Sequence, residues 1–315
     1  MSIRLKFVLL YVTVVCAFCA CKKNDMEEKL LEEEKILAEY ITDTFGDEAI
    51  FLGGGAYLVK TRKNEDGTTV EAGNYILWNS KVTNQITGEL EYTSDKSSVK
   101  YPDSYVDGGP EITQVLSYKI DDGLVKMNKG EKGDIFVPSR WLYFDFQPRI
   151  FSVEIVDVLK DLSLYQEDLM NKYIRRTYER SKVDTIKNVL STSDKSEYNV
   201  MYYIINHGEG DEITKGMNVE TKTSTSYMIR ERDVHSYMVD EDIKWSTNTG
   251  EKINTLTKTN CVGEILEKMN KGGKVVVTMS SKLYWEDDKL PKDKQTHQYF
   301  IPKWSVVIFT ININK

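Results

Sequence analysis

A six-residue turn is written twice in this chain. Met127-Asn128-Lys129-Gly130-Glu131-Lys132 returns as Met269-Asn270-Lys271-Gly272-Gly273-Lys274. Apolar residues at helical spacing precede each copy. Leu116, Ile120 and Leu124, four apart, follow Pro110 and predict a first helix; Val262, Ile265, Leu266 and Met269 predict its counterpart. A strand follows each turn, Ile135-Phe136-Val137 in one case and Val275-Val276-Val277 in the other. Each unit then closes on an alternating strand. Phe151, Val153 and Ile155 share one face of the run from Ile150 to Val158, and Phe309, Ile311 and Ile313 share one face of the run from Val306 to Ile313. Two matched units mean two similar domains, because a stacked solenoid needs at least three repeats.

Other elements fall around this frame. Leu30, Leu37 and Ile41 form the apolar stripe of a helix over 26–45 that Gly46 ends. A second long helix spans about Ser163 to Arg180, and its Tyr173-Ile174 echoes Tyr40-Ile41. Tyr57-Leu58-Val59 and Tyr75-Ile76-Leu77-Trp78 read as strands, with turn chemistry between them at Asn64-Glu65-Asp66-Gly67. Val200 to Ile205 is a strand, and His207-Gly208-Glu209-Gly210 turns after it. Gly53-Gly54-Gly55 is no phosphate loop, since neither Lys-Ser/Thr nor a helix follows, and it is expected to hinge the first helix to the first sheet.

The N-terminus carries Arg4 and Lys6, then an apolar run from Phe7 to Ala17 that Lys22 and Lys23 cut off before the roughly 20 residues a membrane span needs. This is the pattern of a secretory signal. Its end, Phe18-Cys19-Ala20-Cys21, resembles the lipobox of bacterial lipoproteins, in which a small residue precedes the cysteine that takes the lipid. The resemblance implies a signal peptide over 1–20, lipid attachment at Cys21, and a place in the cell envelope. The acidic Asp25, Glu27 and Glu28 shortly behind resemble the surface-export signal of Bacteroidota lipoproteins. An outer-membrane lipoprotein is expected, and both its periplasmic and its outer face stay open. Beyond 16–21 only Cys261 remains, so no internal disulfide and no CxxC pair can form.

The chain has 42 Lys and Arg against 49 Asp and Glu, and losing Arg4 and Lys6 leaves a net charge of −9. A nucleic-acid partner would need a basic face, so none is expected. His207, His235 and His297 are scattered, with no neighbouring cysteine, which points to no metal and no cofactor. No Ser-His-Asp arrangement can be built.

The order of strand, strand, helix, Met-x-x-Gly turn, strand and final strand resembles the FKBP-type peptidyl-prolyl isomerases. The resemblance rests on Gly123-Leu124-Val125-Lys126-Met127 through Lys132, Val137-Pro138 leading to Tyr143, and Phe151-Ser152-Val153-Glu154-Ile155. In the second unit it rests on Gly208-Glu209-Gly210-Asp211, Met269 to Lys274, Ile301-Pro302 and Val307-Ile308-Phe309-Thr310-Ile311. It implies an α+β fold: two FKBP-like domains over 50–160 and 197–315, each an antiparallel sheet wrapped around a helix. A lipidated N-terminus and helix at 21–49 and a linker helix at 161–196 complete the chain.

The resemblance also places a pocket. Seven residues before each methionine the family carries a floor tryptophan; here those positions hold Ile120 and Val262. The family's phenylalanine–aspartate pair falls near Glu91-Tyr92, and the tyrosine of an earlier strand falls at Ser80 and near Thr223. Tyr143 or Trp285 stands at the pocket tyrosine, and Phe151 or Phe309 on the last strand. Phe151 and Phe309 fit core packing as well as pocket lining, and Trp141 and Trp285 fit either core or surface contact. With the pocket so altered, the expected function is polypeptide binding or a chaperone-like role toward envelope proteins. A working, weak isomerase is the second reading, and an accessory subunit of an envelope complex the third.

Overall fold

The computed structural model describes residues 25–93, 111–114, 119–179, 182–190, 197–231, 234–247, 261–284, 301 and 304–315. Cys21 and Trp285 lie outside the described residues. The chain divides into two compact units, one holding 25–93, Gln114 and 119–158, the other 111–113 and 159–315, although the strand at 111–114 pairs within the first sheet and is described with it.

In the first unit helix α1 (25–45) precedes β1 (Ala49–Gly53), β2 (Ala56–Arg62), β3 (Tyr75–Asn84), β4 (Leu90–Thr93), β5 (Glu111–Gln114), α2 (Lys119–Leu124), β6 (Lys132–Val137) and β7 (Arg149–Leu159). The strands order as β1-β2-β6-β7-β3-β4, with β5 on β3. In the second unit α3 (Leu162–Thr177) precedes β8 (Val183–Leu190), β9 (Glu197–Asn206), β10 (Asn218–Met228), β11 (His235–Ser246), α4 (Cys261–Leu266), β12 (Lys274–Ser280), α5 (Ser281–Tyr284) and β13 (Val306–Ile313). Its strands order as β8-β9-β12-β13-β10-β11, each antiparallel to its neighbours. Position for position this is the order of the first sheet. The fold is α+β, one architecture used twice.

α3 and β8 group with the second unit, where the apolar stripe of α3 covers a sheet face. Two expectations change here. Of the helix expected after Pro110, Lys119–Leu124 is helical and Glu111–Gln114 is instead a strand, while Leu116 lies outside the described residues. Gly53-Gly54-Gly55 is not a hinge but the turn of the β1–β2 hairpin, at φ +79, +57 and +76.

Each sheet is covered on both faces. On the inner side of the first, Leu124 of α2 packs with Leu58, Ile76, Ile135, Phe151, Val153 and Ile155. On its outer side Leu37 and Ile41 of α1 pack on Val59 and Phe136. In the second unit Val262, Ile265 and Leu266 of α4 fill the inner side. Leu169, Met170 and Ile174 of α3 close the outer side against Met201, Val276, Val306 and Ile308. Asp161 caps α3 by accepting from the Leu164 N–H at 3.0 Å. Among the described residues no helix is long and apolar enough to cross a membrane.

The duplicated turn closes the same way in both units. Gly130 and Gly272 take left-handed backbone, φ +84 and +79, which suits glycine. Val70 and Ile213 donate their amides to the carbonyls of Met127 and Met269, while Ile155 and Ile313 donate to those of Glu131 and Gly273. One position differs. Glu131 is 1% exposed, pairs with Lys60 at 2.7 Å, and accepts from the amides of Asn64 at 3.0 Å and Asn128 at 2.8 Å. In the second copy the amide of Asn270 donates instead to the His207 carbonyl at 2.7 Å, and a Cβ on Gly273 would meet that same carbonyl at 2.8 Å. So a side chain ties one turn and a backbone carbonyl ties the other.

Burial by itself would raise the Glu131 carboxyl; the bonds from Lys60, Asn64 and Asn128 outweigh it and hold it below the usual glutamate range. A lowered folded-state value stabilises above the unfolded-state value, about 4.3, and that contribution is lost as pH falls through the folded one. Glu131→Ala should therefore cost about 3 kcal/mol at neutral pH. In calorimetric unfolding the gap between wild type and variant should narrow as pH falls below the ordinary glutamate range.

Candidate functional site

The inner face of each sheet, facing its short helix, is where the candidate pocket residues are placed. In the first unit β3 aims Ile76, Trp78, Ser80 and Val82 to one side by its two-residue period. Trp78, Val82, Ile120 and Leu142 are half-buried around the core that contains Phe151. Phe151 itself is 9% exposed. The structure thus brings Ile120 and Phe151 into one cluster. It also supplies Trp78, which the sequence left unassigned. The indole N–H of Trp78 is buried and meets no acceptor among the described residues. A buried donor without a partner costs about 1–3 kcal/mol unless something accepts from it. The two-residue step from Ser80 along an alternating strand is the signal that could have found it.

Tyr143 stands apart from that cluster, 70% exposed, with the Arg149 guanidinium 5.2 Å from its ring centre. Arg149 is buried and donates to Glu91 at 3.0 Å, to Asp145 at 2.8 Å and to the Gln147 carbonyl. Burial works against the Arg149 charge, but Asp145 and Glu91 more than restore it, so its proton is held more tightly than usual. Glu91, near where the resemblance places the phenylalanine–aspartate pair, is thus engaged in fixing the segment that carries Tyr143. Ser139 anchors the other end of this segment, its amide donating to Glu33 at 2.7 Å and its hydroxyl to the same carboxylate. Phe144 and Phe146 adopt φ +55 and +60, left-handed backbone that costs a non-glycine residue energy. Trp141 is a half-exposed surface contact. Its indole N–H donates to the Gly54 carbonyl at 2.7 Å, and a Cβ on Gly54 would lie 2.7 Å from its ring.

Among its described residues the second unit shows Val262 and Phe309 enclosed rather than lining a cleft. Val262 is 1% and Phe309 0% exposed, both inside the inner core. Trp245 from β11 meets Phe309 edge-on, with ring centres 5.8 Å apart at 78°. Its indole N–H donates to the Thr221 hydroxyl at 3.2 Å and reaches that of Thr223 at 3.4 Å. Trp245 carried no assignment in the sequence, and here it fills the inner face. Among the described residues no group of three His, Cys, Asp or Glu side chains could hold a metal ion.

No family model matches the chain, and no curated protein matches it. Solved structures do. The peptidyl-prolyl cis-trans isomerase of Pseudomonas syringae pv. tomato aligns at 17% identity over 42% of this chain and 95% of its own, with a TM-score of 0.33. FkpA of Escherichia coli aligns at 19% identity over 51% and 74%, with a TM-score of 0.34. The three FKBP domains of wheat FKBP73 align at 12% identity over 85% and 98%, with a TM-score of 0.28. Structural neighbours of this chain thus include FKBP proteins, one of them multi-domain.

The packing separates the placed residues by what their removal does. Phe309→Ala should lower the stability of the second unit by about 3–5 kcal/mol, the range for emptying a closed aromatic site. Tyr143→Ala, on an exposed ring, should change stability by less than about 1 kcal/mol. Urea unfolding followed by tryptophan fluorescence measures both.

Proposed function

We propose that this chain is an envelope lipoprotein, tethered through lipid on Cys21, whose FKBP-like units hold polypeptide rather than turn over proline bonds. One observation carries this reading: Trp245 packed on Phe309 fills the inner face of the second unit. Rotation about an X-Pro bond crosses about 18–20 kcal/mol. Twisting breaks amide resonance and makes the bond less polar, so a dry aromatic cleft is enough to favour the twisted form, with no nucleophile or metal required. A cleft of that kind has to be open, and Phe309 is wholly enclosed. Among the described residues the second unit offers no open aromatic face for that chemistry, and this favours holding a chain over turning it.

A second reading, weak isomerase activity, is favoured by the first unit. Trp78, Ile120 and Leu142 surround Phe151 without closing fully over it, and the Trp78 indole N–H, without an acceptor among the described residues, would donate to a substrate carbonyl. Membrane attachment is supported by the lipobox-like Ala20-Cys21 and the short apolar run before it.

A proline-limited refolding assay on the full chain separates the two readings. Substoichiometric chain should leave the slow phase unchanged, while stoichiometric chain should suppress aggregation of the unfolded client. Acceleration well above background that Trp78→Phe reduces would overturn the binding reading in favour of catalysis. Palmitate labelling in cells should disappear in Cys21→Ala, and label that persists would remove the lipid anchor from that residue.

A further inference from the structure

An exposed apolar groove of about 450 Å³ lies in the first unit, between α1 and the segments at 85–86 and 146–148. Ile36 and Tyr40 form one wall, 58% and 42% exposed; Ile86, 67% exposed, Phe146 and Pro148 form the other. The volume lies within the roughly 300–1,000 Å³ of ordinary ligand sites. The groove is built firmly. Asn84 Oδ1 accepts from the amides of Ile86 and Thr87, both at 3.0 Å, fixing the turn that presents Ile86. The Gln85 amide donates to the Pro148 carbonyl at 3.0 Å, joining two parts of the wall.

Two further features say what would fit. First, the side-chain carbonyl oxygen of Gln85, which lines the groove, is buried and has no donor among the described residues. It is an acceptor waiting for an N–H. Second, α1 is strongly acidic, with eight Asp or Glu against two Lys over 25–45. Glu28, Glu32, Glu39 and Asp43 recur at three- and four-residue spacing with Ile36 and Tyr40, so they share one exposed face of the helix. The cation at the groove, Lys29, has its ammonium 6.0 Å from the centre of the Phe146 ring. An apolar floor, a buried acceptor and an acidic rim complement an N–H donor with apolar and basic groups around it. A negatively charged lipid surface would be repelled by the same rim.

We propose that this groove binds an extended polypeptide segment whose apolar side chains are flanked by lysine or arginine. The proposal rests on the polypeptide-binding reading above and gives it a site and a class of client. The apolar side chains enter between Ile36 and Ile86, a peptide N–H donates to Gln85, and the basic flanks lie along Glu28 and Glu32.

The test uses the chain from residue 22 onward, which keeps every described residue and carries no lipid. Short fluorescent peptides with an apolar centre and either lysine or glutamate flanks are titrated by anisotropy. The lysine-flanked peptide should bind about tenfold more tightly than the glutamate-flanked one at low salt, and the ratio should shrink as salt screens the rim. Ile36→Asn and Ile86→Asn, at exposed positions that leave circular dichroism unchanged, should each weaken binding about tenfold. Glu28→Gln with Glu32→Gln should reduce the preference between peptides while leaving the apolar contribution. Equal affinity for both peptides overturns the proposal. So does binding to phosphatidylcholine vesicles that Ile36→Asn abolishes while no peptide binds. Peptide binding that neither isoleucine substitution affects sinks the groove but leaves the polypeptide-binding reading standing. No peptide binding at all sinks both.

Discussion

A sheet that is apolar on both faces has to be covered twice, and the architecture of both units follows from that requirement. The strand β12 shows it most directly: Val275, Val276 and Val277 are all wholly buried, which alternation on a one-sided sheet would not permit. Odd members of that run face α4 and the inner core; Val276 faces α3. The short helices are too small to do more than fill one concave side. The long helices α1 and α3 are therefore parts of their domains, and each repeat begins with its outer helix rather than with its first strand.

Within this frame the two copies have diverged at single positions. Glu131 and Gly273 occupy the same place in the duplicated turn, yet one brings in a buried charge and the other lets a backbone carbonyl close in. The two solutions exclude each other sterically, since a side chain on Gly273 would strike the carbonyl of His207. Such local trades keep the turn while changing what it is made of. The inner faces show the same freedom at larger scale: a half-covered aromatic cluster around Phe151 in one unit, and a closed one around Phe309 in the other.

What could be read from the sequence was what hydrophobic periodicity and turn chemistry mark strongly. The final strands, with Phe151, Val153, Ile155 and Phe309, Ile311, Ile313, face inward as their alternation predicts. The long antiparallel pair β10–β11 was not legible, because β10 buries Thr221, Thr223 and Thr225 where an apolar residue would have signalled a strand. The hydroxyls of Thr221 and Thr223 find partners in each other and in Trp245, whereas that of Thr225 is buried with no partner among the described residues. Tertiary contact supplied the reason, and no local pattern carries it. The same holds for the candidate site. Ile120 and Phe151, singled out by the resemblance, lie in one cluster, whereas Trp78 and Trp245 became meaningful only when strand pairing brought them over the core. The outer role of α3 was hidden as well. An amphipathic helix shows its own stripe but not the surface it will cover.

The position of α1 has a mechanical side. Its first described residue is only four positions after Cys21, and its body is one lid of a sheet. Force entering at the N-terminal end does not reach the sheet directly. It meets Arg140, which grips both Glu27 and Glu34, and the buried clasp of Ser139 on Glu33. These polar latches lie ahead of Leu37 and Ile41, the residues that seal Val59 and Phe136 from water. A pull on the chain from that end would have to undo the latches before it could peel the lid. The segment bearing Tyr143 and Phe146 hangs from the same Ser139. Tension at the start of the chain and the shape of the aromatic segment are thus joined through one carboxylate.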